Sequence, residues 1–117
     1  MKPIPTKVHG ILDYTTGALF AASPWLFDFA DDSTARWVAV GTGVAVLGVS
    51  AFTDYEAGLV KRVPMATHLT IDTVSGVLVA ASPWLFGFAR RRYWTHLAFG
   101  LLELGAGLLT QRKPKYA

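Results

Sequence analysis

Two histidines of this chain stand in a repeated pattern with an acid. His9 precedes Asp13 by four residues, and His68 precedes Asp72 by the same step. On a helix that spacing puts the imidazole and the carboxylate on one face, a turn apart. Such pairs can satisfy themselves, Asp13 accepting from His9 and Asp72 from His68, and so join two parts of a fold. They can also relay protons as coupled sites, or ligate a divalent metal. Imidazole and carboxylate suit zinc, and His9, Asp13, His68 and Asp72 together supply the four ligands of its tetrahedral preference. A haem held by His9 and His68 would leave both aspartates without a part. No cofactor is required by the sequence, and a divalent metal is the one that this donor set suits. Glu103 is the fifth candidate, because it too interrupts an apolar run.

The segments that carry these residues come in duplicate. Ala21-Ala22-Ser23-Pro24-Trp25-Leu26-Phe27-Asp28-Phe29-Ala30 returns as Ala80-Ala81-Ser82-Pro83-Trp84-Leu85-Phe86-Gly87-Phe88-Ala89, with only Asp28 and Gly87 different. The chain is read as a tandem duplication, repeat 1 over 1–58 and repeat 2 over 59–117, within a single domain. Hydrophobic residues make up 52% and charged ones 16% of 117 residues. A soluble domain carries about 25% charged residues, so this surface is too apolar for water. The net charge of +3 does not indicate a nucleic-acid partner, since the basic residues flank apolar runs instead of sharing a polar face. With no cysteine there is neither a disulfide nor a thiolate metal site.

Four apolar segments follow in order: about Thr6 to Ala22, Trp37 to Thr53, Met65 to Ala81, and Tyr93 to Gln111. Pro24 and Pro83 are expected to break the first and third helices. The Trp25 and Trp84 turns, with aromatics beside charges, read as membrane–water boundaries. The predicted fold is all-α: a four-helix transmembrane bundle of two tandem two-helix repeats, related by a pseudo-two-fold axis along the membrane normal. Lys2, Lys7, Lys61, Arg62, Arg112, Lys113 and Lys115 fall on the side of the termini, against Arg36, Arg90, Arg91 and Arg92 opposite. That bias predicts cytoplasmic termini.

The doubled Ser23-Pro24-Trp25 and Ser82-Pro83-Trp84 motifs, each closing an apolar helix, resemble the SPW-repeat family of small bacterial integral membrane proteins. The resemblance covers nearly the whole chain. It implies a multi-pass protein of the bacterial inner membrane and carries no catalytic residue onto this sequence.

Comparison of the copies also predicts packing. Pro5, His9, Asp13, Gly17 and Ala21 equal Pro64, His68, Asp72, Gly76 and Ala80, a step of four along one helix face. Small residues let helices approach closely in lipid, so Gly17 and Gly76 are expected at a contact between helices one and three. Gly41 and Gly48 match Gly100 and Gly107, which predicts packing faces on helices two and four. Glu103, on the face of Gly100 and Gly107, should sit near mid-bilayer as a neutral hydrogen-bond donor or as the proton-carrying member of a relay. No nucleophile triad, P-loop or H-E-x-x-H is present, which argues against an enzyme. The favoured function is a structural or accessory membrane protein whose partners are the bilayer and, through its glycine faces, a second copy or another membrane protein. The alternative is a metal- or proton-binding or transport module using the His-Asp pairs and Glu103.

Overall fold

The computed structural model describes residues 3–112, so Lys2, Lys113 and Lys115 of the charge bias lie outside the described residues. It is all-helical: α1 (Thr6–Leu26), α2 (Ser33–Ala51), α3 (Met65–Leu85) and α4 (Trp94–Leu109), with no strand among the described residues. Pro5 and Pro64 stand at the N-caps of α1 and α3, where fixed φ values of −66° and −60° suit the entry to a helix. Asp32 caps α2 by accepting from the Ala35 amide.

Pro24 and Pro83 do not break their helices, contrary to expectation; α1 and α3 run through them to Leu26 and Leu85. The serine before each proline explains this. A proline nitrogen cannot donate, which orphans the carbonyl one turn back, Phe20 in α1 and Val79 in α3. Ser23 Oγ donates to Phe20 O at 2.6 Å, and Ser82 Oγ donates to Val79 O at 2.6 Å. The Ser-Pro pair thus replaces its own missing bond, and both residues are buried. The tryptophans point away, Trp25 63% and Trp84 57% exposed.

Each helix then ends in a left-handed residue. Asp28 has φ 60° and Gly87 φ 78°, and the next amide folds back onto the proline carbonyl: Phe29 N to Pro24 O, Phe88 N to Pro83 O. This is the six-to-one bond of a glycine-type C-cap. It tucks Phe29 and Phe88 into the core. The one difference between the ten-residue copies therefore falls where side chains are disfavoured. Asp28→Gly should stabilise the protein and Gly87→Asp destabilise it, each by about 0.5–1 kcal/mol. Thermal unfolding in detergent checks this, and a lower melting temperature for Asp28→Gly would contradict it.

The helices pack as two hairpins, α1 with α2 and α3 with α4. In the first seam a Cβ on Gly43 would lie 2.5 Å from Gly17 O and from Ala21 N. In the second, a Cβ on Gly100 would lie 2.3 Å from Ala80 N, and one on Gly76 2.8 Å from Gly100 O. Gly17 and Gly76 therefore face α2 and α4; the expected α1–α3 glycine contact is corrected. Gly107 packs against α3 at Leu69 and Thr73, whereas Gly41 and Gly48 have nothing within 4 Å. Gly43, not Gly41, is the residue placed like Gly100, because the return helix is shifted by two residues between the copies.

Short main-chain bridges tie each hairpin to the start of the other. Ile4 pairs with Thr110, and Val63 pairs with Thr53. At the opposite end, Arg91 Nε donates to Asp32 Oδ2 at 2.8 Å. That hydrogen bond, ahead of all other influences, holds the Asp32 carboxyl below its usual range. The Arg91 side chain is largely exposed, so this clip contributes little to stability.

Candidate functional site

The four repeated polar residues meet in one place. His9 and Asp13 on α1 and His68 and Asp72 on α3 are all buried, and one ligand atom from each lies within 4.8 Å of the others. The pairing crosses between the copies. His9 Nε2 is 2.8 Å from Asp72 Oδ2 and 3.1 Å from Asp13 Oδ1. His68 Nε2 is 3.1 Å from Asp13 Oδ2 and 3.2 Å from Asp72 Oδ2. Each imidazole reaches both carboxylates, so the separate His-Asp pairs expected along each helix form one tetrad. The rings meet edge to face at 5.3 Å. Here α1 and α3 touch through long polar side chains, while their glycines serve the hairpin seams.

A set of residues without any signal in the repeat holds the tetrad in position. His9 Nδ1 lies 2.7 Å from Thr110 Oγ1, and His68 Nδ1 lies 2.6 Å from Thr53 Oγ1. Each threonine hydroxyl donates to a carbonyl of its own helix end, Ala106 O and Val49 O. A hydroxyl has one proton, so toward the imidazole it accepts, and each Nδ1 carries a hydrogen. On the other side of the ring, His9 Nε2 donates to Asp72 Oδ2. The Ile4–Thr110 and Thr53–Val63 bridges are what set these threonines beside the histidines.

Tyr55, in the loop after α2, is fully buried, and its hydroxyl donates to Asp13 Oδ2 at 2.7 Å. Burial, with the Asp13 charge beside it, pushes the Tyr55 hydroxyl above the ordinary phenol range, so it stays a donor. The neighbouring Glu56 accepts from Thr6 Oγ1 at 2.7 Å. Only this contact distinguishes Tyr55 from a residue of an ordinary solvated loop, and no local spacing announces it.

Glu103 lies apart from the tetrad but opens on the same cavity, about 30 Å³ in volume, which Asp13 and Asp72 also line. Ser75 of α3 donates to Glu103 Oε1. That volume admits a water molecule. The third histidine, His96, sits at the other end of the bundle. Phe20, Phe29 and Phe88 surround its ring, and its Nε2 is 3.0 Å from Ala35 O. It takes no part in the tetrad.

Ser23-Pro24-Trp25 and Ser82-Pro83-Trp84 occupy the same structural place in both copies, and a family model for the SPW repeat domain matches residues 7–110. The chain belongs to the SPW repeat family. No curated protein and no solved structure matches it. The SPW repeat here has two separable parts: the Ser-Pro-Trp helix ends, which build the aromatic core, and the His-Asp tetrad at the far end of α1 and α3.

Among the described residues, Ser33–Ala51 is the helix long and apolar enough to cross a membrane by length and composition. Trp94–Leu109 is apolar but shorter. Family and apolar helix together point to a small membrane protein.

Proposed function

We propose that this SPW repeat protein is a four-span protein of the bacterial inner membrane, with both termini cytoplasmic, and that its role is structural or accessory. The observation that carries the reading is an inversion of burial. Among the described residues twelve buried ones are polar or charged and nine are hydrophobic, while twenty-three large hydrophobics are exposed. Water would drive those twenty-three inward; lipid would not. A 21-residue helix such as α1 or α3 is about 32 Å long, enough for a hydrocarbon core of about 30 Å. Their polar faces lower the average hydropathy but turn inward. Trp25, Trp84, Trp37, Tyr93 and Trp94 are exposed at one end, as in an interfacial aromatic belt. Gly41 and Gly48 leave space on the outer face of α2 for a second helix, from another copy or a membrane partner.

The reading is tested by topology. The natural chain has no cysteine, so single cysteines at Ser33 and Ala117 report cleanly. They should label from opposite sides of the membrane, Ala117 from the cytoplasm. Labelling of both from one side would sink the four-span arrangement.

A second reading, metal or proton binding by the His-Asp pairs with Glu103, is favoured by one observation: the pairs converge in a single buried cluster beside the cavity that Glu103 lines.

A further inference from the structure

We propose that His9, Asp13, His68 and Asp72 form a tetrahedral site for one divalent ion of the zinc type, ligated by His9 Nε2, His68 Nε2 and one oxygen from each aspartate. The separations fit. Four nitrogen and oxygen ligands at about 2.0–2.1 Å from zinc span tetrahedral edges of about 3.3 Å. With Asp72 Oδ2 and Asp13 Oδ1 as the oxygen ligands, three edges are 2.8, 3.1 and 3.2 Å, and one ligand atom from each of the four residues lies within 4.8 Å of the others. These spacings also suit hydrogen bonds, so the decision rests on the direction of the rings.

Direction comes from His68. Its Nε2 is buried and has no hydrogen-bond partner, although carboxylate oxygens lie 3.1 and 3.2 Å away. The oxygens stand off the line along which an N–H would donate, so Nε2 is left unsatisfied by protein groups and open to an ion. The threonines agree. Thr110 and Thr53 take the Nδ1 hydrogens, so Nε2 is the nitrogen that each ring turns toward the carboxylates; that of His9 is hydrogen-bonded to Asp72 Oδ2 at 2.8 Å, and an ion would take the place of its hydrogen. Metal-bound imidazoles are held in this way, the other ring nitrogen donating to a fixed acceptor. Tyr55 likewise fixes Asp13 through Oδ2.

Charge and ligand type narrow the ion. Two carboxylates balance one divalent cation, so the filled site adds no net charge to a buried region. Calcium takes six to eight oxygens, and magnesium demands an octahedron of them. Two imidazoles and two carboxylates suit zinc or cobalt instead. The cavity along Asp13 and Asp72 gives the ion an approach to the carboxylate side.

The test uses the full chain in detergent, stripped with chelator and titrated with Co²⁺. Saturation at one equivalent is expected, with the intense visible bands of a tetrahedral ion, and Zn²⁺ should displace it. Asp72→Asn and His68→Gln should each weaken binding by tenfold or more. Thr53→Val keeps all four ligands and removes only the Nδ1 acceptor, and it should weaken binding about 10–100-fold. Asp31→Asn, remote from the tetrad, should leave binding unchanged. No saturable tetrahedral spectrum in the wild-type chain overturns the proposal, and so does a spectrum that survives Asp72→Asn. If Asp72→Asn or His68→Gln fails to fold, the wild-type stoichiometry and Thr53→Val decide it. Cysteine labelling is indifferent to this outcome, so the site and the membrane reading fail separately.

Discussion

Replacing Asp72 with alanine should destabilise the bundle by about 3–5 kcal/mol, the largest loss expected from any single polar substitution in the chain. Asp72 Oδ2 reaches both imidazoles with one oxygen, 2.8 Å from His9 Nε2 and 3.2 Å from His68 Nε2. Its removal leaves a buried positive charge with one carboxylate where two stood. That imbalance, more than the lost contact, sets the cost, and it applies whether protons or a metal ion supply the positive charge. Tyr55→Phe should cost less, about 1.5–3 kcal/mol, because it removes one hydrogen bond to a charged acceptor and leaves the charge count intact. Asp31→Ala, outside the tetrad, should change stability by less than about 0.5 kcal/mol. The three variants are compared by thermal unfolding in detergent, followed by circular dichroism. An Asp72→Ala protein that melts with the wild type would mean that the tetrad does not join the hairpins.

The tetrad shows what sequence reading can and cannot reach in a duplicated chain. His9, Asp13, His68 and Asp72 stand out because a step of four marks a helix face and the duplication marks it twice. Their convergence needed only that these faces of α1 and α3 turn toward each other across the bundle. Thr53, Thr110 and Tyr55 left no such mark. They reach the tetrad from helix ends and a loop, across 15, 101 and 42 positions of chain, and the pairing of Val63 and Ile4 with the threonines brings two of them there. The Ser-Pro pairs depart from expectation for a different reason. Proline alone predicts a break, but the adjacent serine supplies the missing bond, so α1 and α3 continue to Leu26 and Leu85. Glu103 lies between the two cases. Its apolar surroundings were visible in the sequence, whereas Ser75 on α3, its hydrogen-bond partner, was not.

Gly100→Leu should destabilise the protein by about 1–3 kcal/mol or more, whereas Gly41→Leu should leave its melting temperature unchanged or raise it. An ungapped comparison of the two repeats treats these glycines as equivalent, and the fold separates them. A Cβ on Gly100 would lie 2.3 Å from Ala80 N, 2.6 Å from Ala80 Cα and 2.7 Å from Ala80 Cβ. Two of those atoms are backbone, so no side chain can rotate away, and α3 and α4 must move apart. Gly43→Leu should fail in the same manner against Gly17 O and Ala21 N. Nothing lies within 4 Å of a Cβ on Gly41, so a larger residue meets open space and gains up to about 1 kcal/mol in helix propensity. If a second helix packs on that outer face, Gly41→Leu should disperse the assembly in size-exclusion chromatography while the chain keeps its thermal stability. The two measurements together separate the inner seam from the outer face. Equal loss of thermal stability in Gly41→Leu and Gly100→Leu would show that the return helices are not shifted by two residues, and that both glycines lie in a seam.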